Sequence, residues 1–147
     1  MRIDELFEPQ DDDQSVPRLP LSPTPEMIAH AKDFCLRKWK ERFHEKALLA
    51  RDHPEMEPKD LSNSCKFTSQ FALALFGGVL RGNYHHQYVV CNGKKIDLNI
   101  DAADVKRLGG KAHRHDSKFF GSDSHQASMD SCQPRVESWV AEFLSEL

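Results

Sequence analysis

Apolar residues recur along this chain with two different periods, and the change of period separates helical from extended parts. Met27, Ala31, Phe34, Cys35, Trp39 and Phe43 fall mostly three or four positions apart, the stripe of a helix with one buried face. Thr24 is placed to cap that helix, with Pro25 at its first position, where a missing N–H costs nothing. The pattern predicts a run to about Ala50, with residues 51–61, which hold Pro54 and Pro58, as a connection. A second helix is predicted over 65–76, capped by Ser62 or Asn63 and closed by Gly77-Gly78. Phe67, Phe71, Ala74 and Leu75 form its expected core face, and its low charge predicts burial on most sides.

Beyond the two glycines the period shortens. A short extended piece at 79–81 precedes two β-like runs, about 84–91 and 94–99, joined by Asn92-Gly93, a strong hairpin signal. Asp101 is expected to cap a short helix over 102–108 that ends at Gly109-Gly110. Residues 111–133 are polar and rich in His, Ser and Asp, the composition of a loop. Pro134 is expected to open a last amphipathic helix with Val136, Trp139, Val140, Phe143, Leu144 and Leu147 on one face. The resulting fold class is α+β, helices packed on a small antiparallel sheet. Residues 1–23, with Asp11-Asp12-Asp13 followed by Pro17, Pro20 and Pro23, read as a flexible arm that cannot bury enough surface to offset its ordering entropy. Residues 24–147 read as one domain.

Composition narrows the function classes. The 147 residues are 39% hydrophobic and 29% charged, as in a globular domain with a real core. A net charge of -3, with basic and acidic residues alternating at 38–46, argues against nucleic-acid binding, which rests on phosphate neutralisation. No apolar stretch approaches the ~18 residues of a membrane span, and the N-terminus lacks a signal-peptide core. A cytoplasmic protein is expected, with specialised secretion without a cleaved signal left open. Four cysteines without a Cys-x-x-Cys pair read as thiols rather than disulfides.

Three residues stand where chemistry would need them. Cys65 opens the apolar helix, and His86 and Asp97 lie on the two arms of the hairpin. A helix N-terminus and a nearby imidazolium both favour thiolate, the competent nucleophile. Pairing across Asn92-Gly93 matches Cys91 with Lys94, Val89 with Ile96, Tyr88 with Asp97 and His86 with Asn99. His86, Tyr88, Asp97 and Asn99 then share one face, while His85 points with Ile96 and Leu98 to the apolar side. Asp97 is expected to accept Nδ1–H of His86, with Asn99 as a second candidate for orienting the ring. The backbone N–H of Cys65 is a candidate oxyanion donor.

These pieces, in this order, resemble the papain-like and transglutaminase-like cysteine hydrolase superfamily. The similarity rests on Asn63-Ser64-Cys65 opening a buried helix, on His86-Gln87-Tyr88-Val89, and on Gly93-Lys94-Lys95-Ile96-Asp97-Leu98, and it covers about residues 60–105. It implies a papain/transglutaminase-like core and a Cys65-His86-Asp97 triad that needs no cofactor. It also implies hydrolysis or transfer at amide bonds of a protein or peptide substrate through a thioester. The interval of 21 residues from Cys65 to His86 is short for that superfamily, and the region just before the cysteine helix holds Ser62 and Asn63 but no glutamine to supply an oxyanion donor.

Two other classes remain. The same fold without catalysis would be a protein-interaction module. His113, His115, Asp116, His125 and Cys132 offer zinc-type ligands, although no pair has a standard zinc spacing. Cys35 and Cys91 are expected to be structural thiols, and His85 a satisfied structural histidine.

Overall fold

The computed structural model describes residues 18–147, so most of the expected arm, residues 1–17, lies outside the described residues. Six α-helices and a three-stranded antiparallel sheet make up the described part, an α+β arrangement. The helices are α1 (Pro25–His44), α2 (Ala47–Asp52), α3 (Cys65–Phe76), α4 (Ala103–Leu108), α5 (Ser117–Phe120) and α6 (Asp123–Glu146). The strands β1 (Val79–Gly82), β2 (Gln87–Cys91) and β3 (Lys94–Ile96) follow α3, with β2 in the centre. No helix among the described residues is long and apolar enough to cross a membrane.

The stripe on α1 is buried at Ala31, Phe34, Cys35, Trp39 and Phe43, and the Thr24 side chain accepts the Met27 N–H at 3.1 Å. The expected run to Ala50 is interrupted after His44, and the chain restarts as α2. At the centre of the core Phe34, Phe71 and Phe143 meet pairwise, with ring centroids 5.2–5.5 Å apart. Each ring comes from a different helix, so α1, α3 and α6 are joined at one point. Burying a side chain of this size contributes about 1.5–3 kcal/mol. Outside the core, Arg37 pairs with Glu146, Lys38 with Glu142 and Arg135 with Glu45, exposed pairs worth little individually. Before α1, the Leu21 N–H donates to the Leu75 carbonyl at 2.6 Å, and Leu21 packs against the core.

α3 has the expected bounds and is buried on most sides, between α6 and the sheet. Ala74 departs from the expected core face and is exposed. The hairpin register is as the turn demanded, with Cys91 opposite Lys94 and Val89 opposite Ile96. Asn92 and Gly93 both have positive φ, 51° and 77°, the backbone such a turn requires. The arms are shorter than expected at the far end, because Oδ1 of Asp97 accepts the Asn99 N–H at 3.0 Å. That local bond turns the chain out of the ladder after Ile96.

The C-terminal third departs furthest from expectation. Residues 109–113 form a 3-10 turn, α5 follows, and α6 begins at Asp123 rather than at Pro134. Ser122 caps α6 by accepting the His125 N–H at 3.3 Å, and Met129 and Cys132 continue the buried stripe of Val136, Trp139 and Phe143. Pro134 therefore sits in the helix interior on the exposed side, where packing of the whole face outweighs its lost hydrogen bond. α4 is also capped differently. Asp101 pairs with Lys32 at 2.6 Å, while Oδ2 of Asp60 accepts the Ala103 N–H at 2.9 Å.

Candidate active site

Cys65 is the first residue of α3 and is half-buried, whereas Cys35, Cys91 and Cys132 are buried thiols. Burial pushes the Cys35 thiol strongly up, which keeps it protonated and inert. The residue preceding Cys65 is held from several sides. Ser64, rather than Ser62 or Asn63, is the cap position, and it is fully buried. Its hydroxyl donates to the Leu61 carbonyl at 2.6 Å and accepts from Nδ2 of Asn99 at 3.2 Å. Asn63 takes φ 70°, a left-handed geometry that asparagine tolerates, and its N–H donates to Asp104 at 2.9 Å. The N–H of Cys65 is at the first position of α3, where a helix leaves its N–H groups without an intrahelical partner.

His86 closes the turn between β1 and β2. Asn83 and His86 exchange backbone hydrogen bonds of 2.9 and 3.3 Å across that turn. Gly82, with φ 140°, allows the approach, since a Cβ there would overlap the His86 carbonyl oxygen. The His86 ring is 1% exposed, and its Nε2 lies 2.7 Å from Oδ2 of Asp97. The expected partner nitrogen was Nδ1; the structure uses Nε2, which leaves Nδ1 for the Cys65 side. Burial works against a charged ring, but the bonds the ring donates to Asp97 and to the Cys65 sulfur outweigh it and push the His86 pKa up to about 9. For Asp97 burial acts upward. The bonds from His86, His113 and the Asn99 N–H outweigh it and hold the carboxyl below its ordinary range.

Other expected residues are placed differently. Asn99 is buried, but its amide nitrogen reaches Ser64 and the Leu61 carbonyl at 3.0 Å, so it supports the helix start and does not orient the ring. His85 is exposed at the tip of the turn, because strict alternation holds only once β2 begins at Gln87. The five zinc-type residues of the C-terminal third do not gather. His115 accepts the Gly82 N–H at 3.1 Å, Asp116 caps α5, and His125 and Cys132 are buried on α6.

Two further residues complete the site: Gln87, which the sequence pattern did not single out, and His113, which it offered only among the zinc-type ligands. Gln87 is 2% exposed, and its Oε1 accepts from the Cys65 thiol at 3.4 Å. Its Nε2 donates to the Asn83 carbonyl at 3.0 Å, so the amide cannot be reversed without facing two carbonyl oxygens toward each other. His113 places its Nε2 2.7 Å from the same Oδ2 of Asp97 that His86 uses. The Tyr88 hydroxyl donates to the His113 carbonyl at 2.8 Å and anchors that segment. His86, Asp97 and His113 are a group of metal-ligand type, their ligand atoms within 4.8 Å of one another. The only hint of Gln87 in the sequence was its place beside His86, and His113 stood out only as one of several histidines.

Compared with known protein families, curated proteins and solved structures, the chain finds no match.

Proposed function

We propose that this chain is a thiol-dependent hydrolase or transferase acting at amide bonds, as a peptidase, amidase or deamidase, with Cys65 as nucleophile. The observation that carries this reading is a buried His86 between a half-buried thiol and a buried carboxylate, with its charged form favoured by both. His86 Nδ1 takes the thiol proton, the sulfur attacks the amide carbon, and the ring returns the proton to the departing amine. Water then attacks the thioester with His86 as base, which regenerates the thiol. The first N–H of α3, left without an intrahelical partner, is the donor for the oxyanion in this reading. Asp97 keeps the ring turned and its charged form stable. A papain/transglutaminase-like core remains the proposed framework for this arrangement.

Mass-mapped labelling with iodoacetamide near neutral pH tests the reading. Cys65 is expected to react at least about tenfold faster than Cys35, Cys91 and Cys132, and His86→Ala to abolish the difference. Equal and slow reaction of all four thiols would sink the proposal. Incubation of peptide and protein mixtures with wild type and Cys65→Ala then separates cleavage from a deamidation mass shift.

A further inference from the structure

We propose that His86, Asp97 and His113 form a binding site for a zinc-class divalent cation, and that occupancy of this site switches the Cys65 thiol chemistry off. The second half of the statement rests on the function proposed above; the first does not.

The donor set defines the class of ion. Two imidazole nitrogens and one carboxylate oxygen suit zinc, cobalt or a neighbouring first-row metal, and three protein ligands leave one position for water. Calcium and magnesium, which need six or more oxygen ligands, do not match it. The three residues come from separate parts of the fold: the turn before β2, the residue after β3, and the 3-10 turn at 109–113. Each is fixed by other bonds. Oδ1 of Asp97 is occupied by the Asn99 N–H, which aims Oδ2 at both rings. His113 is held through its carbonyl by Tyr88. Such outer bonds are what orient metal ligands.

Both nitrogens now lie at hydrogen-bond distance from one oxygen, 2.7 Å each. Tetrahedral coordination with bonds of about 2.0–2.1 Å separates ligand atoms by about 3.3 Å, so each pair must open by roughly 0.6 Å. The His113 side chain, 17% exposed against 1% and 3% for His86 and Asp97, is the accessible wall and the side of entry.

The consequence for the thiol follows from the tautomer. A cation on Nε2 of His86 leaves the single proton of the neutral ring on Nδ1. That nitrogen then has no lone pair with which to accept a proton from the Cys65 thiol or from the water that attacks a thioester. The cation enters as the proton on Nε2 of each ring moves to Nδ1 or to solvent, and no redox change is involved.

Calorimetry with Zn2+ and absorption spectra with Co2+, on chelator-stripped full-length protein, test the site without reference to activity. One equivalent is expected to bind, with cobalt d–d bands of a four-coordinate site and no thiolate-to-cobalt charge-transfer band. Cys65→Ala is expected to bind within about threefold of wild type, and His113→Ala and Asp97→Asn at least tenfold more weakly. Where a variant does not keep the wild-type melting profile, histidine ring 15N shifts of wild type during zinc titration replace it, and only His86 and His113 are expected to move. No binding would overturn the proposal. So would binding lost in Cys65→Ala, or binding retained in His113→Ala, which would place the metal on the thiol or on surface histidines. Metal binding in a protein whose Cys65 shows no selective labelling would leave the site standing and remove the thiol function instead.

Discussion

The Asn99 carboxamide donates to the Ser64 hydroxyl at 3.2 Å, tying the segment after β3 to the residue immediately before Cys65. Asp97, two residues earlier in that segment, holds His86. One turn of chain thus sets both Cys65 and His86, and a change in the turn is felt at both.

Asn99→Ala is expected to lower stability by about 1–3 kcal/mol, because the Ser64 hydroxyl and the Leu61 carbonyl lose a buried partner. Thermal melts should register this as a drop of several degrees. Activity per folded molecule should fall less than in Asp97→Asn; a larger fall would restore Asn99 as the residue that orients the ring.

Asp97→Asn keeps the shape of the side chain and removes the charge that holds the Nε2–H of both His86 and His113. Turnover is expected to fall by about 10²–10⁴-fold. A positioning role also predicts that the alkaline limb of the rate profile moves to lower pH, as the ring loses the partner that keeps it charged. Unchanged activity and an unchanged profile would remove Asp97 from the site.

The pH dependence of stability has a defined direction. An unfolded histidine titrates near ~6.5, whereas His86 in the fold is pushed up to about 9. Its stabilising effect is complete below the unfolded value and disappears as pH rises through about 9. Asp97 acts oppositely, since its lowered carboxyl stabilises above its unfolded value and the effect is lost as pH falls through the lowered one. The difference in melting temperature between wild type and His86→Gln, measured in chelator, should therefore shrink from pH 6.5 to 9. A difference that stays constant over that range would contradict the charged state of His86.

Gly82→Ala puts a Cβ against the His86 carbonyl at a φ that L-residues rarely adopt. The turn must shift and carry the ring with it. Loss of selective Cys65 labelling is expected together with a destabilisation of at least about 1 kcal/mol. The same substitution at Gly110, where a Cβ meets nothing, should leave labelling unchanged.

Local signals in the sequence account for what could be read from it. Asn92-Gly93 specified the β2–β3 turn and its register because both residues adopt positive φ at low cost. The cap and stripe of α1 and the bounds of α3 were equally local. His86 and Asp97 came together because the hairpin brings them together. His113 could not be placed, since its approach depends on Tyr88 and on a 3-10 turn whose residues carry no periodic signal. Pro134 is a local signal for a helix start, but the stripe through Met129, Cys132, Val136, Trp139 and Phe143 carries α6 back to Asp123. Gln87 carried no signal beyond its place beside His86, because its contact with Cys65 depends on how the helix and the sheet pack.

Pro134 lies near the middle of α6 and has no N–H to offer the Asp130 carbonyl. The helix is therefore two cooperative lengths in series. The second carries Trp139 and Phe143 into the aromatic core, whereas the first reaches α3 through Lys66 to Ser128 and through Gln70 to Gln133 and the Met129 carbonyl. Opening of the first length would expose the flank of α3 while Trp139 and Phe143 stay packed against Phe71. Amide protons of the first length are therefore expected to exchange before those of the second, which hydrogen exchange read by mass spectrometry would check.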